Sequence, residues 1–335
     1  MTYRQAGIDL AAGEQVVERI RAAVASTTRR EVLGDLGGFA GLYTPPAGDP
    51  VLAAGCDGVG TKVLLGRAAG RLHGLGIDLV AMSVNDVLTS GARPAFFLDL
   101  ITCGTLVPDT IVELVEGVAD GCRQAGCALL GGETAEHPDM MAADDFDLAG
   151  FCVAVGERRD LIAGALIREG DAIIGFPSSG PHSNGYSLIR RLLDRAQVSL
   201  DATPPELGGQ SVSDALLEPT RIYVPAVRAL TGTTDVHGMA HITGGGIEGN
   251  LARPLPSGLG AEVDLGSWER PAVFGWLASL GVDEDEMRRV FNLGLGYAAY
   301  VRGEDTELAL RTLEHAGEPA WVAGRVVAGE GVRFQ

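Results

Sequence analysis

Short apolar runs alternate with amphipathic segments through nearly the whole chain, and tight groups of glycine separate them. That alternation reads as an α/β fold, because an apolar helix stripe and a buried strand must cover one another. Glycine supplies 48 of the 335 residues, roughly twice the ordinary share. It clusters as GG, GGG and G-x-G, which implies several tight loops and not one flexible linker. A chain of this length exceeds the usual size of a single core. Two domains are therefore expected, 1–165 and 166–335, joined near the charged stretch Glu157–Asp171.

Within the first half, Val16, Ile20 and Val24 share a helical face, and Val51–Ala54 reads as a short strand entering a loop at Gly55–Lys62. Asp78 is placed to cap a helix through Leu79, Val84 and Leu88. Ala95–Ile101 reads as a buried strand, Pro108 opens a helix that Gly126 closes, and Cys127–Leu130 and Leu148–Val155 are further strands. In the second half Ala172–Phe176 is a strand, Ser183 is a candidate cap for the helix that follows, and Thr203–Ser213 is a surface loop.

The net charge of −18 repels phosphate backbones and anionic lipid, so neither nucleic acid nor membrane is an expected partner. No apolar run approaches the ~18 residues of a membrane span, and the first residues lack a secretion-signal pattern, so the expected location is cytoplasmic. Five cysteines without a C-x-x-C pair argue for buried reduced thiols over a disulfide framework or a zinc site. The same acidity means that an anionic substrate would need local help from a cation, a metal or backbone N–H groups. Among 26 basic residues only one is lysine, Lys62. A coding bias toward arginine would spare a lysine where a compact point charge is needed and a planar fork does not fit.

Lys62 ends the segment Gly55-Cys56-Asp57-Gly58-Val59-Gly60-Thr61-Lys62. This is not a P-loop, since Thr61 intervenes between the last glycine and the lysine. Glycine N–H groups and a lysine remain suited to phosphate, and Asp57 makes sense there if Mg²⁺ lies between carboxylate and phosphate. A Gly-rich turn with a solvated Asp is the structural alternative. Asp86, after Asn85 in an apolar helix, Asp99 inside an apolar strand, and Glu133, after Gly131 and Gly132, are further acids at element ends. Together they suggest a metal–nucleotide site.

In the second half, Ser179-Gly180-Pro181-His182-Ser183-Asn184-Gly185 leads into a helix, where anion binding and simple capping by Ser183 both fit. Gly244-Gly245-Gly246-Ile247-Glu248-Gly249 is a literal G-x-G-x-x-G, but Arg253-Pro254 leaves no room for the long helix of a dinucleotide fold. A phosphate-gripping glycine loop is the better reading. His237 and His241 are four apart without the glutamate of a zincin motif, and His73 and His315 read as surface residues.

Taken together, these segments resemble the phosphoribosylformylglycinamidine cyclo-ligase (AIR synthetase) family. The resemblance runs through Tyr3–Asp9, Gly37–Gly41, Asp57–Lys62, Gly76–Asp86, Phe96–Asp99, Gly121–Glu136, Ala149–Cys152, Ser178–Ser187, Pro219–Val224 and Ala240–Gly246. It implies a two-domain α/β (α+β) protein whose N-terminal domains contribute strands to a β-barrel shared in a homodimer. It implies use of ATP with Mg²⁺, with K⁺ a further candidate ion, to cyclise formylglycinamidine ribonucleotide. On this resemblance Asp57, Asp86 and Glu133 would hold Mg²⁺. Gly58, Gly60, Thr61, Lys62, Asn85, Gly131 and Gly132 would line the ATP phosphates. His182, Ser183, Asn184 and Gly244, Gly245 and Gly246 would hold the ribonucleotide, with Lys62, Asp57 and His241 as catalytic candidates. Two departures from the family pattern are Asp139-Met140-Met141 and Tyr297, the latter where methionine is usual. The rivals are selenophosphate synthetase, thiamine-phosphate kinase, an NAD-dependent oxidoreductase resting on the glycine fingerprint alone, and a dimeric binding module.

Overall fold

A computed structural model describes residues 10–33, 42–43, 45 and 47–335, in two compact units. The first holds the residues up to Val87 and Ala92–Arg159; the second holds Leu88–Gly91 and Asp160–Gln335. The matching segments Tyr3–Asp9 and Gly37–Gly41 lie outside the described residues.

The first unit runs α1 (Leu10–Ala25), β1 (Val32–Leu33), β2 (Leu42–Tyr43), β3 (Pro50–Gly58), α2 (Lys62–Ala68), α3 (His73–Leu88), β4 (Arg93–Cys103), α4 (Pro108–Ala125), β5 (Ala128–Glu136) and β6 (Phe146–Glu157). Helix α4 starts and stops as its residues dictate. Pro108 sits in the first turn, where no N–H is needed, and Gly126 takes the left-handed conformation at the end. Helix α3 begins at His73, five residues before the expected cap, so Asp78 lies inside the helix and is fully buried. Gly76 is there for close approach: a Cβ on it would fall 2.2 Å from the Leu114 carbonyl oxygen of α4. A Cβ on Gly117 of α4 would likewise fall 1.9 Å from the His73 oxygen.

Four strands form an open sheet in the order β3-β6-β4-β5, antiparallel except for the β4–β5 pair. No closed barrel forms among the described residues. In β4, Phe97, Asp99, Ile101 and Cys103 alternate onto a buried face, where Leu79 of α3 meets Gly150 and Phe97. The opposite face leaves Leu52, Leu100 and Phe151 exposed, Leu52 by 64%. Of the five cysteines, four are buried and Cys56 is exposed.

The second unit runs β7 (Ala172–Pro177), α5 (Tyr186–Ala196), α6 (Val212–Leu217), α7 (Val224–Thr231), β8 (Val236–His241), α8 (Gly246–Ala252), β9 (Leu259–Val263), α9 (Ala272–Ser279), α10 (Glu284–Val290), β10 (Leu295–Val301), α11 (Thr306–His315), β11 (Trp321–Ala328) and β12 (Gly331–Phe334). Its six strands follow the order β12-β9-β11-β7-β10-β8, with only β12 and β9 parallel. β8 and β10 are buried throughout, and β7 up to Pro177, so residues of both faces are covered and the strands read as continuous apolar runs. The stretch expected as a surface loop at Thr203–Ser213 instead contains a short 3₁₀ turn with buried Leu207 and the start of α6, capped by Ser211. Among the described residues no helix is long and apolar enough to cross a membrane.

Candidate functional site

Asp57 lies on β3 and not in a loop. The ladder continues past the expected strand end and pairs Asp57 with Gly150 of β6 and Gly58 with Ala149. The connection to α2 is only Val59, Gly60 and Thr61, with Gly60 left-handed and Val59 buried. Asp57 Oδ1 accepts the Gly58 N–H at 2.8 Å. Glu133 is likewise on a strand, since β5 runs through Gly131 and Gly132 to Glu136, opposite Leu100 of β4. Asn85 of α3 is fully buried while Asp86 is exposed, on the turn whose Ser83 and Val87 lie against Gly55 of β3.

The topology sets two of the three acids expected to hold Mg²⁺, Asp57 and Glu133, apart from each other. β3 and β5 are the opposite edges of the sheet, three strand spacings or ~14 Å apart. Among the described residues no three acidic, histidine or cysteine side chains come close enough to share an ion. A Mg²⁺ ion, which needs carboxylates plus phosphate oxygens at short range, does not fit the three acids of one chain as they stand.

Lys62 also departs from expectation. Its side chain is fully buried, and Nζ lies 2.9 Å from Oδ1 and 2.7 Å from Oδ2 of Asp78, which is equally buried. The ammonium is thus turned into the packing between α2 and α3, not presented outward from the glycine segment. Asp99 faces the same helix layer. Burial pushes its carboxyl up to about 7, against the pull of a backbone hydrogen bond in the other direction.

In the second unit, residues singled out separately in the sequence converge. Ser183 is not a helix cap: α5 starts after left-handed Gly185, and Ser183 Oγ lies 3.2 Å from Thr220 Oγ1. His182 is buried with φ of 59°, an uncommon backbone for a residue with a side chain, and its Nε2 accepts the Ser179 N–H at 3.2 Å. A Cβ on Gly244 would fall 3.4 Å from Asn184 Oδ1, so the glycine loop adjoins the Ser179–Gly185 loop. Asn250 holds the glycine loop by donating from Nδ2 to the carbonyl oxygens of Thr243, Gly244 and Gly246. His241 ends β8 opposite Tyr297, whose ring stacks on Tyr223 at 5.0 Å; the Tyr297 hydroxyl points at Met239 sulfur.

The glycine fingerprint is not a dinucleotide fold. Helix α8 has seven residues, and β8 and β9 are not neighbours in the sheet.

Asn292 was not among the expected site residues. It is buried, accepts from Ser178 Oγ at 2.8 Å and the Gly294 N–H at 3.0 Å, and donates to the Gly180 oxygen at 2.9 Å. Its signal was an amide interrupting the apolar run Phe291-Asn292-Leu293. Tyr223 was missed too. It donates to the Pro177 oxygen at 2.8 Å, and burial raises its hydroxyl well above the usual range, so it stays a donor.

Residues 37–156 match the family profile "AIR synthase related protein, N-terminal domain", and residues 168–335 match its C-terminal counterpart. The chain is 52% identical over 337 residues to a phosphoribosylformylglycinamidine cyclo-ligase of Synechococcus sp. (strain RCC307), covering 99% of this chain and 98% of the relative. It is 54% identical over 335 residues to a protein of the same name from Myxococcus xanthus (strain DK1622), covering 98% and 97%. Among solved structures, thiamine-monophosphate kinase from Stenotrophomonas maltophilia K279a superposes with a TM-score of 0.73 at 20% identity, covering 96% of this chain and 95% of that one. The hydrogenase maturation protein HypE in complex with ATP gives 0.66 at 20% identity, covering 93% and 86%. These two share the fold.

Proposed function

Because this chain belongs to the phosphoribosylformylglycinamidine cyclo-ligase family, we propose that it uses ATP to close an imidazole ring in purine biosynthesis. The γ-phosphoryl group of ATP passes to the formyl-amide oxygen of formylglycinamidine ribonucleotide. An amidine nitrogen then attacks the activated carbon, the C–O bond breaks, and phosphate leaves with that oxygen. ADP, phosphate and 5-aminoimidazole ribonucleotide result. No protein nucleophile is needed for this route; positioning and charge neutralisation suffice.

The observation that carries the reading is the convergence in the second unit of Asn184 with the Gly244–Gly246 loop. That loop is held in shape by Asn250, and His182 is fixed in a left-handed turn beside Ser179. Such a surface offers backbone N–H groups and a neutral amide to a ribonucleotide phosphate without demanding a cation, which suits a chain with a net charge of −18. His241, buried at the end of β8 beside Tyr297, is the proposed group for moving the proton in ring closure.

On the first unit, Asp57, Gly58, Gly60, Thr61, Gly131, Gly132 and the acids Asp86 and Glu133 remain the proposed surroundings of the nucleotide. Among the described residues the three acids of one copy do not form a single cluster. The apolar sheet face bearing Leu52, Leu100 and Phe151 supports a homodimer, with two such sheets facing each other as a barrel. A solvated apolar patch of this kind on an antiparallel sheet is better covered than left wet.

The test is phosphate release from ATP with and without formylglycinamidine ribonucleotide. Release should depend on that substrate. In Asn184→Ala the KM for the ribonucleotide should rise at least tenfold, with KM for ATP unchanged. Equal effects on both would remove Asn184 from the ribonucleotide site.

A further inference from the structure

We propose that Asp78 is a positioning residue for the nucleotide site, acting by clamping the Lys62 ammonium inside the protein so that the Asp57–Thr61 segment is held from behind. This deepens the reading above and rests on it. The clamp has an unusual geometry for a lysine in a glycine-rich, phosphate-suited segment. Nζ meets both carboxylate oxygens of Asp78, at 2.7 and 2.9 Å, and both side chains are fully buried. A buried ion pair is costly to break from either side, because the remaining charge is left without compensation.

Its place in the chain gives it leverage. Asp57 is pinned on β3 by its pairing with Gly150, and five residues later Lys62 opens α2. Between them, left-handed Gly60 accepts the Val63 N–H at 3.2 Å, and Thr61 accepts the Leu64 N–H at 3.2 Å. The far end of α2 is tied down by Arg67, which pairs with Asp145. The short connection therefore runs between a strand ladder on one side and the Lys62–Asp78 pair on the other. Release of the pair loosens the α2 end of the short connection that follows Asp57.

The same geometry accounts for the solitary lysine. A fully buried site takes the compact ammonium; a guanidinium is wider and carries five N–H donors that would need partners there. Arginine, which fills the other 25 basic positions, is excluded from this one.

Because Lys62 is the only lysine, amine labelling reads it cleanly. Native protein is treated with an acylating reagent, with and without ATP and Mg²⁺, and the peptide bearing Lys62 is quantified by mass spectrometry. The clamp predicts that Lys62 stays unlabelled in both conditions and labels fully only after unfolding, while the α-amino group labels throughout. Rapid labelling of the nucleotide-free protein, whether or not ATP protects it, would overturn the proposal, because the ammonium would then face solvent or ligand. The second readout is kinetic. Asp78→Asn, assayed well below its melting temperature, should raise KM for ATP at least tenfold and leave KM for the ribonucleotide unchanged. A folded Asp78→Asn protein with unaltered KM for ATP would reduce the pair to a stabilising contact and refute the positioning role. If wild-type protein releases no substrate-dependent phosphate, the cyclo-ligase reading fails instead, and the labelling result stands apart from it.

Discussion

Asp99 should make the protein less stable as pH rises, and replacing it with asparagine should remove that dependence. Its carboxyl points into the helix layer of the first unit, and glycine is required opposite it: a Cβ on Gly132 would fall 2.2 Å from Asp99 Oδ1. Burial moves its pKa from 3.8 to about 7. Below the lower value both folded and unfolded chains hold the proton, and the group is neutral to stability. Between the two values the unfolded chain releases the proton while the folded chain keeps it, so stability falls with rising pH. Above the upper value the cost levels off at about 4 kcal/mol, at ~1.4 kcal/mol for each decade separating the two pKa values.

Asparagine has nearly the same shape and does not titrate. The advantage of Asp99→Asn over wild type should therefore grow by about 2–3 kcal/mol between pH 5 and pH 8. All three tryptophans lie in the second unit, so their fluorescence does not report on this one. Urea titration read by hydrogen-exchange mass spectrometry of peptides from β4 does. A difference between the two proteins that stays constant from pH 5 to pH 8 would refute the argument, since it would mean that the carboxyl ionises at its ordinary pKa.

Two further outcomes are expected. Gly76→Ala drives a methyl group into the Leu114 carbonyl at the crossing of α3 and α4, and should lower the unfolding free energy by about 1–3 kcal/mol in the same titration. Phe151→Glu places a charge in the middle of the exposed sheet face, and should halve the mass seen by light scattering while leaving the circular dichroism spectrum unchanged.

What could be read from the sequence was what depends on neighbours. Pro108 and Gly126 bound α4 because their backbone restrictions act on the spot, and the apolar runs at Ala95–Ile101 and Ala172–Phe176 became β4 and β7. Glycine was where local reading failed. The helix expected to start at Asp78 begins at His73, and Gly76 lies inside it to let α4 approach. Gly58, Gly131 and Gly132 look like loops, yet they sit on strands because β6 and β4 supply the ladder partners. The strand order 3-6-4-5, which sends Asp57 and Glu133 to opposite edges, is a long-range outcome that no spacing along the chain encodes. The same holds for Lys62 and Asp78. Each was noticed alone, one as a phosphate ligand and one as a cap, and only folding shows that they belong to each other.

In the second unit the Ser179–Gly185 and Gly244–Gly246 segments were conspicuous in the sequence, because polar residues and consecutive glycines stand out among apolar runs. Asn292, which ties Ser178, Gly180 and Gly294 together, was visible only as an isolated amide. Tyr297 shows how a departure from the family pattern is absorbed: its ring stacks on Tyr223 and its hydroxyl finds Met239.

If ATP activates the formyl-amide oxygen, that oxygen leaves as phosphate. Formylglycinamidine ribonucleotide carrying ¹⁸O in its formyl group, turned over with unlabelled ATP in ordinary water, measures this by mass spectrometry of the released inorganic phosphate. One ¹⁸O atom is expected in each phosphate formed, matched to each imidazole ring closed. Phosphate without the label, while rings still close, would contradict it.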